Sequence, residues 1–332
     1  MNSKVQSLKD FLAGQGHIAL VEVAGTIGST PREKGAFMLV SASAIFGTIG
    51  GGQLEYMAID KARQMVGSSP SPLWGGSDGK AGRGGGEAFG EPRTTASSDP
   101  PHKGEGKEER IEVDEVCATL DVPLGPEIGQ CCGGRVEVLI RLVDLALAQE
   151  LVVAAEAEEA QLPYVYIFGG GHVGQALASA VALLPVHVVV IETRAEALEG
   201  MPETVETSLT PMPEAMVCKA PTGTAFAILT HDHALDFLIV AEALKRDDTA
   251  YVGMIGSRTK KATFKNWFLK SADGNETEFA RLVSPIGGDA VRDKRPQVIA
   301  ALAAAEIMTA LVTHTVALAA PYPASHDKAM AG

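Results

Sequence analysis

The stretch Tyr164-Val165-Tyr166-Ile167-Phe168-Gly169-Gly170-Gly171-His172-Val173-Gly174-Gln175-Ala176-Leu177 decides the fold. An apolar, strand-like run enters a turn in which Gly169, Gly171 and Gly174 satisfy G-x-G-x-x-G, and a helical pattern follows at once. In this strand–turn–helix context the glycines let the backbone approach a pyrophosphate at the positive end of a helix. The plainer reading is that they only let strand and helix pack tightly.

Working outward, Val186 to Ile191 forms a second apolar strand ended by Glu192, close to the spacing at which such folds place a ribose-binding acid. Phe226 to Leu229, a helix over 234–245 and Ala250 to Ile255 continue the alternation. Alternating strands and helices predict a parallel sheet covered on both faces, a Rossmann-like domain. Thr230-His231-Asp232-His233 and Gly256-Ser257-Arg258 follow strands, and so fall at the sheet edge where open α/β folds hold ligands. Asp232 sits where a helix N-cap belongs, and two histidines are too few for a metal site. Ser257 and Arg258 are candidates for anion contact, or Ser257 for an N-cap.

The first half differs. A helix over 4–14, strands His17 to Val23 and Ala36 to Val40, and the glycine loop Gly47 to Gly52 feeding a helix over Gln53 to Met65 predict an α+β domain. From Gly67 to about Glu109 the chain turns to Gly, Ser, Pro and charged residues, the composition of a disordered insertion. Strand patterns resume at Arg110 (RIEVDEV) and Arg135 (RVEVLIRLV), so the insertion interrupts a domain instead of ending one. Asp144 to Gln161, stopped by Pro163, is the expected connector. The predicted organisation is an N-terminal α+β domain over 1–150, interrupted at about 67–109, a Rossmann-like domain over 160–315, and a flexible tail over 316–332.

Gln130-Cys131-Cys132-Gly133-Gly134 puts two thiols on a glycine-rich loop. A thiolate there suits a soft metal or sulfur transfer, and small packing residues are the alternative. Cys117 and Cys218 occupy no such loop, and four irregularly spaced cysteines do not make a disulfide framework. A formal charge of −13 repels nucleic acid. The opening MNSKVQSLKDFLAGQG lacks a signal-peptide pattern, so a cytoplasmic location is expected. Val298 to Ala320, broken by Glu306, Thr309, Thr313 and His314, suits a packed helix better than a membrane span.

Longer motifs add a resemblance. GSTPREKGAFMLV (28–40), GTIGGGQLEYMAI (47–59), LGPEIGQCCGGRVEVLI (124–140), IFGGGHVGQAL (167–177), LTHDHALD (229–236), YVGMIGSRTKKATF (251–264) and SPIGGDAVRDKRPQVIA (284–300) resemble, in this order, the XdhC/CoxI family. The resemblance implies a chaperone more than a stand-alone enzyme. Such a protein binds molybdenum cofactor (molybdopterin), supports its sulfuration with a cysteine desulfurase as donor, and delivers it to apo-xanthine dehydrogenase. Cys132 is the implied metal-binding and catalytic thiol, with Cys131 assisting it. Gly169, Gly171, His172, Gly174, Glu192 and Ser257 are the expected cofactor-binding residues, for molybdopterin or for a separate nucleotide. Arg32, Gln53 and Glu55 fall inside matching motifs without a role. Ser284 departs from the family's cysteine before Pro-Ile-Gly, Gly288 stands where leucine is common, and the insertion is atypical. The competing readings are an NAD(P)-dependent oxidoreductase and a pure scaffold joining desulfurase to apo-enzyme. A homodimer is also open, though one sequence locates no surface for it.

Overall fold

The computed structural model describes residues 4–67, 112–114, 117–125 and 133–319. The Cys131-Cys132 pair, the insertion beyond Gly67 and residues 320–332 lie outside the described residues. The chain divides into two compact units, one spanning residues 7–154 and the other running from residue 155 on, joined by the residues up to Gln6.

The first unit is an antiparallel sheet with a helix on one face. Its elements are α1 (Lys4–Gly14), β1 (Ile18–Ile27), β2 (Phe37–Ser41), β3 (Ile45–Gly47), α2 (Gly52–Met65), β4 (Glu112–Asp114), β5 (Cys117–Pro123) and β6 (Arg135–Leu142). The strand order is β3-β2-β1-β6-β5-β4. Strand alternation sets the core: Val136, Val138 and Ile140 of β6 are buried while Arg135 and Glu137 face out. Leu54, Ala58 and Ala62, one helical turn apart on α2, join the same apolar cluster. Strands β5 and β6 pair along their whole length, and β4 pairs with β5. The sheet is therefore completed by chain that follows the insertion, as the resumed strand patterns predict.

Helix α3 (Leu145–Ala160) leads into the second unit. There β7 (Tyr164–Phe168), α4 (His172–Val181), β8 (His187–Glu192), β9 (Glu206–Leu209), α5 (Ala215–Lys219), β10 (Ala225–Ile228), α6 (His233–Lys245), β11 (Tyr251–Met254), α7 (Arg258–Ser271), α8 (Glu276–Ala280), β12 (Leu282–Val283) and α9 (Pro296–Ala319) follow. All paired strands are parallel, in the order β12-β11-β10-β7-β8-β9. The direction of winding reverses between β7 and β10, which opens a crevice at their carboxyl ends. Successive residues of β7 serve opposite faces. Val165 and Ile167 pack with Leu177, Val181, Ile307 and Leu311, whereas Tyr166 and Phe168 pack with Phe226, Ile239, Phe264 and Phe268. The predicted sheet covered on both faces is thus present.

Strands β3, β9 and β12 and helices α5 and α8 have no counterpart in the sequence reading, because two to five residues carry no period. Residues 316–319, expected in a flexible tail, are instead helical, since α9 continues through Ala319 with its alanines sustaining the helix; the remainder of that expected tail lies outside the described residues. This helix is long and apolar enough to cross a membrane by length and composition. It buries Ala300, Ala303, Ile307 and Leu311 in the second unit and leaves Val312 and Val316 exposed.

Candidate functional sites

The glycine turn between β7 and α4 is built by contacts that only glycine permits, with one exception. Gly169 has φ +110°, and a Cβ there would lie 2.6 Å from the Leu229 carbonyl oxygen. A Cβ on Gly170 would meet the Ala197 oxygen at 2.3 Å, and one on Gly174 the Gly169 oxygen at 1.9 Å. These three explain themselves by packing. Gly171 does not: its φ of −69° suits any residue, and an added Cβ meets nothing within 4 Å. Nothing among the described residues requires glycine at this position, and the space beside the start of α4 is open there. No side chain caps α4, and His172 is exposed on its first turn.

Glu192, at the end of β8, is almost fully buried and holds the turn in place. Its Oε2 accepts from the Gly170 N–H at 2.9 Å. Its Oε1 accepts from the Thr193 N–H at 2.8 Å, the Thr193 hydroxyl at 3.1 Å and the Arg194 N–H at 3.2 Å. The Arg194 guanidinium adds Nη2 to Oε2 at 3.3 Å. Burial alone would push this carboxyl up, but the donors from Gly170, Arg194 and Thr193 together outweigh it and hold the group at about 2. Both oxygens are thus engaged within the fold, and the acid is a clamp on the turn.

The other loops at this edge are fastened in a related way. Asp236 is fully buried, and its Oδ1 accepts from the Thr230 N–H at 3.1 Å and hydroxyl at 2.7 Å. Lys260 reaches across from α7 to donate to Asp236 Oδ2 and, at 3.0 Å, to the Ile255 carbonyl. The pair ties the loop after β10 to the loop after β11, and neither residue was singled out from the sequence, where they stand 24 positions apart. Asp232 caps α6 through the Ala234 N–H at 2.8 Å, which leaves His231 and His233 exposed. Ser257 caps α7 through the Lys260 N–H at 3.2 Å. Arg258 is exposed and paired with Asp289 at 2.5 Å. Gly169, Glu192, Thr230 and His231 line one narrow cleft with Thr193, whereas Gly171, His172, Gly174, Ser257 and Arg258 are not among its lining residues.

In the first unit three glycine loops converge. A Cβ on Gly134 would sit 2.2 Å from the Ser29 oxygen, and Gly28 lies against Gly134. A Cβ on Gly50 would press on Pro31 at 2.8 Å. Gly50, Gly51 and Gly52 all have positive φ and curl around Glu55. The Glu55 Oε2 accepts from the Thr48 hydroxyl at 2.5 Å and from the Ile49 and Gly51 N–H groups at 3.0 Å each. Glu55 thereby gains a role as the pin of this loop. Arg32 is exposed on the neighbouring loop. Cys131 and Cys132 directly precede Gly133 in sequence and lie outside the described residues. Among the described residues no three or more His, Cys, Asp and Glu side chains gather as metal ligands.

Two predictions follow from the turn. Gly174→Ala, with its Cβ driven into the Gly169 carbonyl, should lower the melting temperature by several degrees, whereas Gly171→Ala should leave it unchanged within a degree; equal losses would contradict this geometry. Glu192→Gln tests the clamp against pH. A carboxyl held below its ordinary value near 4.5 adds stability that is fully present above that value and is lost as pH falls through about 2. Unfolding free energies from urea titrations should therefore differ by a constant amount, about 2 kcal/mol, above pH 5, and the gap should close between pH 4.5 and 2. A gap independent of pH would mean that the charge contributes nothing.

Comparison with known proteins agrees with this architecture. Residues 11–73 match the XdhC and CoxI family, and residues 165–307 match the XdhC Rossmann domain. Over 299 residues the chain is 24% identical to the uncharacterized protein YqeB of Escherichia coli K12, a match that covers 87% of this chain. The chain spans 43% of the length of that relative. A Bacillus halodurans crystal structure described as a xanthine dehydrogenase shares the fold, with a TM-score of 0.66 at 16% identity over 94% of this chain and 96% of that one. With both units matched in sequence order, the chain belongs to the XdhC and CoxI family.

Proposed function

We propose that this chain is a xanthine dehydrogenase accessory protein that carries molybdenum cofactor, supports its sulfuration with a cysteine desulfurase, and hands it to apo-xanthine dehydrogenase in the cytoplasm. Family membership supports the accessory role. The observation that carries the choice of cargo is the state of Glu192. A dinucleotide site needs this acid to accept from a ribose diol. Here its two oxygens already accept from Gly170, Thr193 and Arg194. What the turn offers instead is the uncapped end of α4 beside Gly171, a cradle for a phosphate whose molecule needs no diol recognition. The terminal phosphate of molybdopterin fits that description.

In this reading the Gly171 backbone and the first turn of α4 hold the phosphate, with exposed His172 beside it. Glu192 positions the turn. Cys132, with Cys131 assisting, is the thiol proposed for sulfur handling, and within its own unit Gly134 packs against Ser29 where that loop ends. When bound, the cofactor would supply the metal centre that is sulfurated, and the protein's part would be to shield and orient it. The NAD(P)-dependent oxidoreductase draws on the same turn but asks of Glu192 lone pairs that the fold already uses.

Gel filtration after mixing the purified protein with molybdenum cofactor tests the proposal. Pterin should travel with the wild-type protein, and Gly171→Ala and Cys132→Ala should each reduce retention about tenfold, equivalent to roughly 1.4 kcal/mol. NADH at millimolar concentration should leave protein fluorescence unchanged. Saturable NADH binding without cofactor retention would replace this reading with the oxidoreductase.

A further inference from the structure

Ser284 follows β12 at the carboxyl edge of the parallel sheet. It lies one residue beyond the Val283–Gly253 pair, level with Met254; Met254 pairs with Ile228, and Ile228 with Phe168, the residue before the glycine turn. Three strand spacings separate the two ends of this row, roughly 14 Å. The Ser284 Oγ is buried and has no hydrogen-bond partner among the described residues. Its segment is nevertheless well fixed, since Ile286 N–H donates to the Met254 carbonyl at 3.1 Å and Asp289 pairs with Arg258 at the start of α7.

A buried hydroxyl without a partner costs stability that alanine would not. Three other buried polar atoms share this state, but none stands at the ligand edge of the parallel sheet. Arg63 Nε and Arg141 Nε belong to the first unit, and His314 Nε2 lies near Gly223, before β10 begins.

We infer that Ser284 is a binding residue whose hydroxyl hydrogen-bonds the cargo at the end remote from its phosphate. The ligand class is a phosphate joined to a polar fused-ring heterocycle: with the phosphate at Gly171, such a molecule extends along the edge past β10 and β11 toward Ser284. The inference rests on the function proposed above.

The test compares wild type, Ser284→Ala and Ser284→Cys as full-length proteins, by melting without cofactor and by retention of molybdenum cofactor on gel filtration. Ser284→Ala should melt a few degrees higher and retain roughly tenfold less cofactor, with Ser284→Cys, a weaker donor of similar shape, between the two in retention. Opposite signs in the two readouts separate a ligand contact from a packing role. Wild-type retention matched by Ser284→Ala would overturn the inference and leave the functional reading standing. A lower melting temperature for Ser284→Ala would also overturn it, by revealing a partner in the free protein. If the wild type retains no cofactor, the functional reading fails and this inference falls with it.

Discussion

One buried carboxylate organises the ligand end of the second unit. Glu192 draws the Gly170 N–H, two residues of its own loop and the Arg194 side chain onto two oxygens, and stays ionised because those donors outweigh the cost of burial. With the turn pinned, Gly174 can lie against the Gly169 carbonyl and α4 can start where it does. The same interaction removes the acid from the task usually assigned to its position. A residue type at the expected spacing thus serves the protein's own backbone.

The parallel sheet was legible because each of its longer strands is a short apolar run ended by glycine or a polar loop, and Gly169 to Gly174 marks the first crossover. The roles of individual site residues were less so. Asp232 and Ser257 could be placed as caps, since capping depends on residues two or three positions away. The Asp236–Lys260 pair could not, because its partners come from different helices and leave no local signature. Nor could the condition of Ser284, whose missing partner is a property of three-dimensional surroundings. Glu192 was placed correctly in the chain, yet its engagement depends on the direction of the Gly170 N–H, which only the turn fixes.

The first unit follows a parallel logic with a different outcome. Glu55 pins the Gly50 to Gly52 loop as Glu192 pins the Rossmann turn, and Gly134 locks the start of β6 beneath Ser29. Sequence alone had left Glu55 without a role, because three donors converging on one oxygen require consecutive positive-φ glycines that composition does not reveal. The motifs that carry the family resemblance in this unit are therefore, in large part, the residues that hold its loops together. The chemistry proposed for the unit falls to the neighbouring thiols.

The central claim, a carrier of molybdenum cofactor, meets its most direct test in reconstitution. Apo-xanthine dehydrogenase would be incubated with molybdenum cofactor and a cysteine desulfurase, with and without this protein, and xanthine oxidation followed over time. The account predicts faster and more complete activation when the protein is present; equal activation in its presence and absence would contradict it.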